Sequence, residues 1–216
     1  MDEKLPRYER ILGDLRSAYD VGAADRDRAE RAPWKLGVRQ RFLDTLRDEG
    51  AATLLEIGAG TGKDSRFFLD NGLDVVATDL SAEMVRLCRD KGLTAHVMDF
   101  MGLDFPSASF DAVYAFNCLL HVPSADFIPV LMHVRGVMKP GGLLFLGQWG
   151  DVDYEGVPDW DRHDPPRFFC EYTDQRIQEL VSRVFELVEF TPVNVDAEDE
   201  PHVRFQAMTL RKGPGV

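Results

Sequence analysis

The sequence predicts an α/β fold, a doubly wound parallel sheet with helices on both of its faces. Three observations lead to this prediction. Short apolar runs alternate with segments of helical periodicity from Thr53 onward. Helical patterns fill the first 50 residues, and two apolar runs near the C-terminus flank a short acidic stretch. A chain of 216 residues can build one sizeable core, so we expect a single domain.

Two helices are expected before the first strand. Apolar residues recur at helical spacing in "YERILGDLRSAYD" and "KLGVRQRFLDTLRDEG", and the charged "ADRDRAERAP" separates the two segments. Pro33 and Gly50 punctuate this region. Because the apolar faces of these helices need a partner, we expect residues 1–50 to form a helical cap or lid over the strand ends. Residues 51–212 are expected to form the main body of the domain.

Five strands and their helices are expected between Thr53 and Trp149. The apolar runs are "TLLEIG", "DVVATD", "TAHVMDF", "FDAVYAFN" and "GLLFLGQW". Helices are predicted in "KDSRFFLDNG", "SAEMVRLCRDKG" and "FIPVLMHVRGVMKPGG", the last ending at Pro140 and Gly141. After the helix "TDQRIQELVSR", the runs "FELVEFTPVNV" and "HVRFQAMTLRK" predict an antiparallel hairpin joined by "DAEDEP". The tail "KGPGV" is expected to lack regular structure.

The composition argues against several classes of function. A net charge of −12, with 37 acidic against 25 basic side chains, would repel a phosphate backbone, so we expect no nucleic-acid partner. Cys88, Cys118 and Cys170 show no paired short spacing, so neither a disulfide framework nor a metal site is expected. The charged N-terminus and the lack of a long apolar run predict a cytoplasmic protein without a membrane segment. The oligomeric state stays open.

The stretch "TLLEIGAGTGKDSRFF" places three glycines between the first strand and its helix: Gly58, Gly60 and Gly62. Glycine admits backbone dihedrals that other residues avoid, and it lets a ligand lie directly on the main chain. A Walker-type loop would need glycine at the position of Ile57 and a hydroxyl at that of Asp64. A dinucleotide fingerprint would need glycine in place of Lys63. The turn therefore predicts a ligand without a pyrophosphate.

Three carboxylates follow the strands of this region. Asp79 ends the second strand about 20 residues after the first glycine of the turn, the spacing at which an acidic residue meets ribose hydroxyls. Asp99 closes the third run and can accept a hydrogen bond from an exocyclic amine. Glu56 either shapes the turn by binding loop amides or contacts the ligand. Such a set suits a ligand with hydroxyls, an amine and a positive centre, which are the features of S-adenosylmethionine.

Five motifs, in this order, resemble those of the class I S-adenosylmethionine-dependent methyltransferases: "LLEIGAGTGKD", "VVATDLS", "VMDF", "FDAVYAFNCLLHV" and "VMKPGG". The resemblance covers residues 50 to 212. It implies a Rossmann-like sheet of seven strands, six parallel and the last antiparallel, which agrees with the hairpin predicted at the C-terminus. It also implies S-adenosyl-L-methionine as the cofactor and S-adenosyl-L-homocysteine as its product.

The resemblance further implies which residues bind the cofactor. The methionine part would lie against Gly58, Ala59, Gly60, Gly62, Asn117 and Cys118. The ribose would bind Asp79, and the adenine would lie among Leu80, Met84, Asp99 and Phe100. From its own chemistry, Cys118 reads as a small buried hydrophobic residue, and Lys63 is expected to point to solvent.

Aromatic side chains before the first strand and after the fifth are expected to wall an acceptor pocket: Tyr19, Trp34, Trp149 and Tyr172. His121 lies four residues beyond Asn117, just past the fourth strand, where the methyl group and the acceptor would meet. It either hydrogen-bonds backbone to fix that turn or acts as a general base. The acidic run of residues 151–164 is expected to be a solvated loop.

These features predict a methyltransferase that moves a methyl group from S-adenosylmethionine to an oxygen, nitrogen or sulfur atom of a small molecule. A noncatalytic protein that keeps the fold for binding or as a scaffold is the main alternative. A nicotinamide-dependent epimerase or dehydrogenase is less favoured, because Lys63 stands where the dinucleotide fingerprint has glycine. The acceptor and the atom that is methylated do not follow from the sequence.

Overall fold

The computed structural model describes residues 7–195 and 204–213. Its helices are α1 (Tyr8–Arg28), α2 (Pro33–Asp48), α3 (Lys63–Asp70), α4 (Ala82–Asp90), α5 (Ser124–Val137) and α6 (Asp174–Val181), and a 3₁₀ turn spans Leu119–His121. Its strands are β1 (Thr53–Ile57), β2 (Asp74–Asp79), β3 (Thr94–Val97), β4 (Phe110–Phe116), β5 (Met138–Gly150), β6 (Tyr154–Gly156), β7 (Phe169–Glu171), β8 (Glu186–Asn194) and β9 (Arg204–Arg211).

Seven strands form one sheet in the order β3-β2-β1-β4-β5-β9-β8. Neighbours among β1 to β5 are parallel, whereas β9 is antiparallel to both β5 and β8. Strand β8 therefore runs with the first five, which makes six parallel strands and one antiparallel strand. This confirms the predicted fold class. The predicted linker "DAEDEP" and the end of the tail lie outside the described residues.

Element boundaries differ from the predictions in three places. Helix α1 continues to Arg28, through the first part of the charged segment that was expected to separate the helices, because residues 24–28 contain no glycine or proline. Helix α5 ends at Val137, since Met138 already pairs with Phe110 in the sheet. Strands β6 and β7 form an additional two-stranded sheet. Each has three residues, which is too short to show an alternating pattern.

Apolar side chains pack on both faces of the sheet. One cluster joins Ile57 and Leu144 to α5 and α6. The other joins Tyr114 of β4 to α2, whose Leu43 is fully buried. Because α2 is part of this second cluster, its apolar face belongs to the core of the domain, and the helix that is left to cover the strand ends is α1.

Helix α1 lies across the carboxyl ends of the parallel strands and is held there along its length. Near its start, the Tyr8 amide donates to Asp126 Oδ2 at 2.8 Å. In its middle, Asp20 accepts hydrogen bonds from the Ser81 hydroxyl and from the Glu83 amide. At its end, Lys63 Nζ donates to the carbonyl oxygens of Arg26 and Ala29. Lys63 was expected in solvent, but it is bound to the end of this helix.

Candidate active site

A cavity of about 250 Å³ lies between α1 and the carboxyl ends of β1, β2 and β4. Twelve of the residues predicted for the cofactor or the acceptor line it: Tyr19, Glu56, Gly58, Ala59, Gly60, Asp79, Leu80, Met84, Phe100, Asn117, Cys118 and His121. The fold thus brings most of the predicted site together. Five predicted residues lie elsewhere: Trp34, Gly62, Asp99, Trp149 and Tyr172.

The three glycines of the turn after β1 have different surroundings, although all have positive φ angles. A Cβ atom on Gly58 would lie 2.5 Å from Cys118 Cβ, and one on Gly62 would lie 2.6 Å from Leu93 Cδ1. A Cβ atom on Gly60 would meet no atom of the described residues within 4 Å. Gly58 and Gly62 therefore let neighbouring elements pack closely, whereas Gly60 leaves backbone open to the cavity.

Asp79 connects the ends of β1 and β2. Its Oδ2 accepts from the Gly60 amide at 2.8 Å, and its Oδ1 accepts from the Ser81 amide at 2.9 Å. Burial raises the pKa of this carboxyl to about 6, against the effect of the two amide hydrogen bonds. A carboxylate has about four lone-pair sites, so acceptor capacity remains for ligand hydroxyls in the cavity.

The Glu56 side chain is hydrogen-bonded to the first turn of α3. It is buried, and its Oε2 accepts from the Ser65 hydroxyl. Burial, together with the nearby charge of Asp64, raises the pKa of this carboxyl to about 8. Asp64 is itself paired with Arg31 and Arg39. Of the two roles considered for Glu56, shaping the turn matches these contacts, and the side chain also lines the cavity.

Asp99 acts on the cavity through the backbone beside it. Its Oδ1 accepts from the amides of Met101 and Gly102 at 2.7 and 3.0 Å, which stabilises the turn after β3. The neighbouring Phe100 lines the cavity and stacks on the Tyr8 ring, with centroids 5.9 Å apart and planes at 11°. Two stacked aromatic rings thus border the cavity beside the turn after β3.

His121 is hydrogen-bonded through both ring nitrogens. Its Nδ1 lies 2.7 Å from the Phe168 carbonyl oxygen, which can only accept, so Nδ1 carries the proton. Its Nε2 therefore accepts from the Tyr19 hydroxyl at 2.5 Å. Burial lowers the pKa of the imidazole to about 3, and the charges of Arg167 and Arg26 act in the same direction. His121 is therefore neutral at physiological pH, and its lone pair is occupied.

Tyr19 belongs to a longer polar chain that the sequence did not reveal. Arg167 Nη1 donates to the Tyr19 hydroxyl oxygen at 3.2 Å. Arg167 is fixed in turn by Asp161, whose Oδ1 accepts from its Nη2 at 2.9 Å. The acidic run of residues 151–164 was expected to be solvated throughout, but its Asp161 side chain is only 2% exposed, because this ion pair holds it inside.

Three of the predicted pocket aromatics pack in the core instead. Trp34 and Trp149 contact each other, with ring centroids 5.4 Å apart, and both pack on Phe205. Tyr172 packs on Phe127 at 5.2 Å. The aromatic residue that borders the cavity on this side is Phe116, the last residue of β4. Phe116 immediately precedes Asn117, a predicted site residue, and this is the feature of the sequence that could have identified it.

Helix α1 contributes side chains to the cavity at helical spacing: Tyr8, Leu15, Tyr19 and Arg26. The intervals of seven, four and seven residues put these side chains on one face of a helix. Arg26 was missed because the charged segment was not expected to be helical as far as Arg28, and Tyr8 was missed although it begins the predicted helix. Applying the same periodicity to the longer helix would have identified them.

Asn117 closes the cavity at the end of β4. Its backbone has a positive φ of 55°, and its buried Oδ1 has no hydrogen-bond partner among the described residues. A buried acceptor without a donor is costly, so this atom suits a ligand N–H group.

In residues 7–195 and 204–213, no group of three His, Cys, Asp or Glu side chains could hold a metal ion. No helix in the described ranges is long and apolar enough to cross a membrane.

Comparison with known proteins agrees with this geometry. A family model described as a methyltransferase domain matches residues 54–142. The 2-methyl-6-phytyl-1,4-hydroquinone methyltransferase of Synechocystis sp. is 35% identical over 123 residues, 54% of this chain and 37% of that protein. A ubiquinone biosynthesis O-methyltransferase of Xanthomonas oryzae pv. oryzae is 33% identical over 116 residues, 50% of this chain and 48% of its own length. The matched regions span less than half of these relatives.

Solved structures share the whole fold. The 1,6-didemethyltoxoflavin-N1-methyltransferase of Burkholderia thailandensis, solved with 1,6-didemethyltoxoflavin and S-adenosylhomocysteine, superimposes with a TM-score of 0.74 at 22% identity. The similarity covers 99% of this chain and 93% of that one. The [4+2]-cyclase SpnF superimposes with a TM-score of 0.70 at 18% identity, over 98% of both chains. At sequence identities this low, the structural similarity is evidence for a shared fold and for no shared activity.

The sheet order and the glycine turn bonded to a strand-end carboxylate define a doubly wound domain. Residues 54–142 match a methyltransferase domain, and the whole chain has the fold of the class I S-adenosylmethionine-dependent methyltransferase family. S-adenosylmethionine is the cofactor of this family.

Proposed function

We propose that this protein transfers the methyl group of S-adenosylmethionine to an oxygen, nitrogen or sulfur atom of a small molecule. The observation that carries the proposal is the Gly60–Asp79 hydrogen bond inside a cavity that α1 covers. That bond joins an open backbone turn to a carboxylate with spare acceptor capacity. A ligand with ribose hydroxyls and no phosphate fits such a turn better than a nucleotide does.

The cavity offers a partner for each part of the cofactor. Asp79 would bind the ribose hydroxyls, and Asn117 Oδ1, which is buried and unpartnered, would accept from the ammonium group. The adenine would lie among apolar and aromatic side chains: Tyr8, Leu80, Met84 and Phe100. Arg31 lines the cavity, and although its Nη2 is paired with Asp64, its other N–H donors would meet the methionine carboxylate. Gly62 and Asp99 would contribute by shaping the two turns, without contact.

The rate of methyl transfer depends mainly on how the protein positions the acceptor atom. A sulfonium-bound methyl group is already reactive, so the protein has to hold the nucleophile in line at about 3 to 3.5 Å. Tyr19, Phe116 and His121 border the acceptor end of the cavity. His121 is assigned a positioning role there, because its Nε2 lone pair accepts the Tyr19 proton and its Nδ1 donates to Phe168. A general-base role would require that lone pair to be free.

The acceptor is a small molecule because α1 roofs the cavity. The bonds of α1 to Ser81 and Glu83 and the bonds of Lys63 to its last turn would have to open before a polymer could enter. Relatives named for hydroquinone and ubiquinone methylation are consistent with a planar acceptor. We assign the lid role to α1 and to the segment that leads into α2.

Binding and turnover test the proposal separately. Calorimetry with S-adenosylhomocysteine is expected to give one site per chain. A screen of hydroxy-aromatic, amine and thiol acceptors with methyl-labelled S-adenosylmethionine is expected to produce labelled product together with S-adenosylhomocysteine. Lack of cofactor binding by the folded protein would remove the proposed function.

A noncatalytic or differently catalytic protein is the second candidate. The similarity to the [4+2]-cyclase SpnF favours keeping it, because that structure shows the fold serving chemistry other than the reaction proposed here. Tight binding of S-adenosylhomocysteine with no labelled product from any acceptor would favour this candidate. Binding of a nicotinamide dinucleotide in preference to S-adenosylhomocysteine would instead favour the epimerase or dehydrogenase alternative.

A further inference from the structure

The inner wall of the cavity holds groups that could take a proton from an acceptor, and each is already engaged. Glu56 is bonded to Ser65, and Asp79 to the amides of Gly60 and Ser81. The lone pair of His121 accepts from Tyr19. Burial also keeps the pKa of the Cys118 thiol well above its usual range. Within residues 7–195 and 204–213, the inner wall therefore presents no free imidazole, and the acceptor capacity that Asp79 keeps lies at the proposed ribose site.

A cation stands over the acceptor end. The guanidinium carbon of Arg26 lies 4.8 Å from the centroid of the Tyr19 ring. Within the described ranges, the Arg26 guanidinium makes no hydrogen bond or ion pair, whereas Arg31 is paired with Asp64 and Arg167 with Asp161. The charge of Arg26 also acts to lower the pKa of Asp79, but no carboxylate is hydrogen-bonded to its guanidinium, and such a guanidinium on a cavity wall suits an anionic ligand.

The other charges that face this end leave room for an anion. Arg167 reaches the Tyr19 hydroxyl, and Lys35 borders the cavity beside the Trp34 ring. On the acidic side, Asp161 is neutralised by Arg167, and Asp20 is bonded to Ser81 and to the Glu83 amide. The remaining acidic groups are Asp79, at the proposed ribose site, and Glu30, which is exposed at the rim. In a chain of net charge −12, this end of the cavity is locally rich in cations.

We propose that the acceptor binds as an anion, the conjugate base of an acidic hydroxyl, thiol or N–H group on a planar ring, with Arg26 as the residue that selects its charge. The inference rests on the proposed function and names its substrate class. Tyr19 positions Arg26, because the flat ring of Tyr19 supports the guanidinium.

The reaction balances without a protein base. The acceptor loses its proton to water before it enters the cavity. The bond between the nucleophile and the methyl carbon forms as the bond between carbon and sulfur breaks, and that electron pair stays on sulfur. The sulfonium becomes a neutral thioether, and the anion becomes a neutral methylated product. Two opposite charges disappear together, so the transfer leaves no charge to be stabilised.

4-Nitrophenol is a suitable probe, because it is planar and its anion absorbs visible light whereas its neutral form does not. We expect the full-length protein with bound S-adenosylhomocysteine to lower the apparent pKa of bound nitrophenol by about one unit, equivalent to tenfold tighter binding of the anion. Arg26→Gln should abolish the shift, and Arg26→Lys should retain most of it. Arg16→Gln, an exposed change on the same helix, is the matched control and should leave the shift unchanged.

Each result bears on the inference. Binding of the neutral phenol, absence of nitrophenolate binding, or a shift that persists in Arg26→Gln would overturn it. A tenfold loss of S-adenosylhomocysteine affinity in Arg26→Gln would also overturn it, because Arg26 would then belong to the cofactor site. In all these cases cofactor binding by the wild type would leave the proposed function standing, whereas wild-type protein that does not bind S-adenosylhomocysteine removes the proposed function itself.

Discussion

The two ends of the cavity are built from contacts of very different range. At the cofactor end, Asp79 and Gly60 are 19 residues apart, and Glu56 and Ser65 are nine apart. At the acceptor end, Tyr19 bonds His121 across 102 residues, and Arg167 bonds Tyr19 across 148. The cofactor end is local strand-turn-helix structure, whereas the acceptor end exists only when α1, the turn after β4 and the segment before β7 have come together.

This contrast suggests how a methyltransferase domain can keep one cofactor and change its acceptor. Residues of the cofactor end are fixed by neighbouring backbone, so a substitution there disturbs the turn itself. Residues of the acceptor end are side chains on separate elements, and they can change without altering the strands. Variants at the two ends should therefore separate into effects on cofactor binding and effects on acceptor binding.

The largest effect is expected at the cofactor end. Asp79→Ala should weaken binding of S-adenosylhomocysteine at least tenfold, because the ribose hydroxyls lose a charged acceptor worth about 1.5 to 3 kcal/mol. The Gly60 amide would lose its partner as well. Calorimetry measures the affinity, and Asp74→Ala, at the exposed start of the same strand, is the control. An unchanged dissociation constant in a folded Asp79→Ala protein would contradict the proposed ribose site.

The glycine turn gives a second test of the cofactor end. Gly58→Ala should lower the free energy of unfolding by about 1 to 3 kcal/mol, because its Cβ would lie 2.5 Å from Cys118 Cβ. Gly60→Ala should lower the free energy of unfolding by about 1 kcal/mol, because of its positive φ alone. It should nevertheless weaken the binding of S-adenosylhomocysteine by more than this loss of stability accounts for. Urea unfolding and calorimetry provide the two measurements.

A glycine elsewhere serves as the control for that pair. Gly13 lies inside α1, and a Cβ there would meet no atom of the described residues within 4 Å. Gly13→Ala should therefore leave stability unchanged or raise it by up to about 1 kcal/mol. Equal losses in Gly58→Ala and Gly60→Ala would show that packing against Cys118 does not distinguish the two positions.

The same difference in range decides what the sequence could predict. The turn, Asp79 and the strand order were predictable, because local periodicity and motif spacing determine them. Trp149 and Tyr172 were assigned to the acceptor pocket from their place in the chain, but neighbouring strands and helices enclose them in the core. Arg167 gave no local signal, since its partners Asp161 and Tyr19 meet it only in the folded chain.

At the acceptor end, His121 should make stability depend on acid. Its folded pKa of about 3 lies below the ordinary value of 6.5, so the unfolded chain binds a proton that the folded chain excludes. The stabilisation is present above pH 6.5 and is lost as the pH falls toward 3. Between pH 7 and pH 5 the wild type should lose about 1 to 2 kcal/mol relative to His121→Gln.

Thermal unfolding across this pH range provides that measurement. His133→Gln, which removes an exposed histidine of α5, is the matched control and should follow the wild type. If His121→Gln loses stability in parallel with the wild type from pH 7 to pH 5, the imidazole titrates in the folded protein and is not held neutral.

The smallest effect expected is the coupling between Tyr19 and His121, and it bears most directly on mechanism. Tyr19→Phe and His121→Gln each remove the same hydrogen bond. In urea unfolding, the two single variants and the double variant should therefore show a coupling free energy of about 0.5 to 1.5 kcal/mol. Strict additivity would mean that the 2.5 Å contact contributes nothing.

Turnover separates positioning from base catalysis on the same three proteins. If His121 positions Tyr19, both single variants and the double variant should lose similar amounts of kcat/KM, with an unchanged pH profile. A loss of about 10²-fold in kcat for His121→Gln alone, with Tyr19→Phe near wild type, is the behaviour of a general base and would return that role to His121.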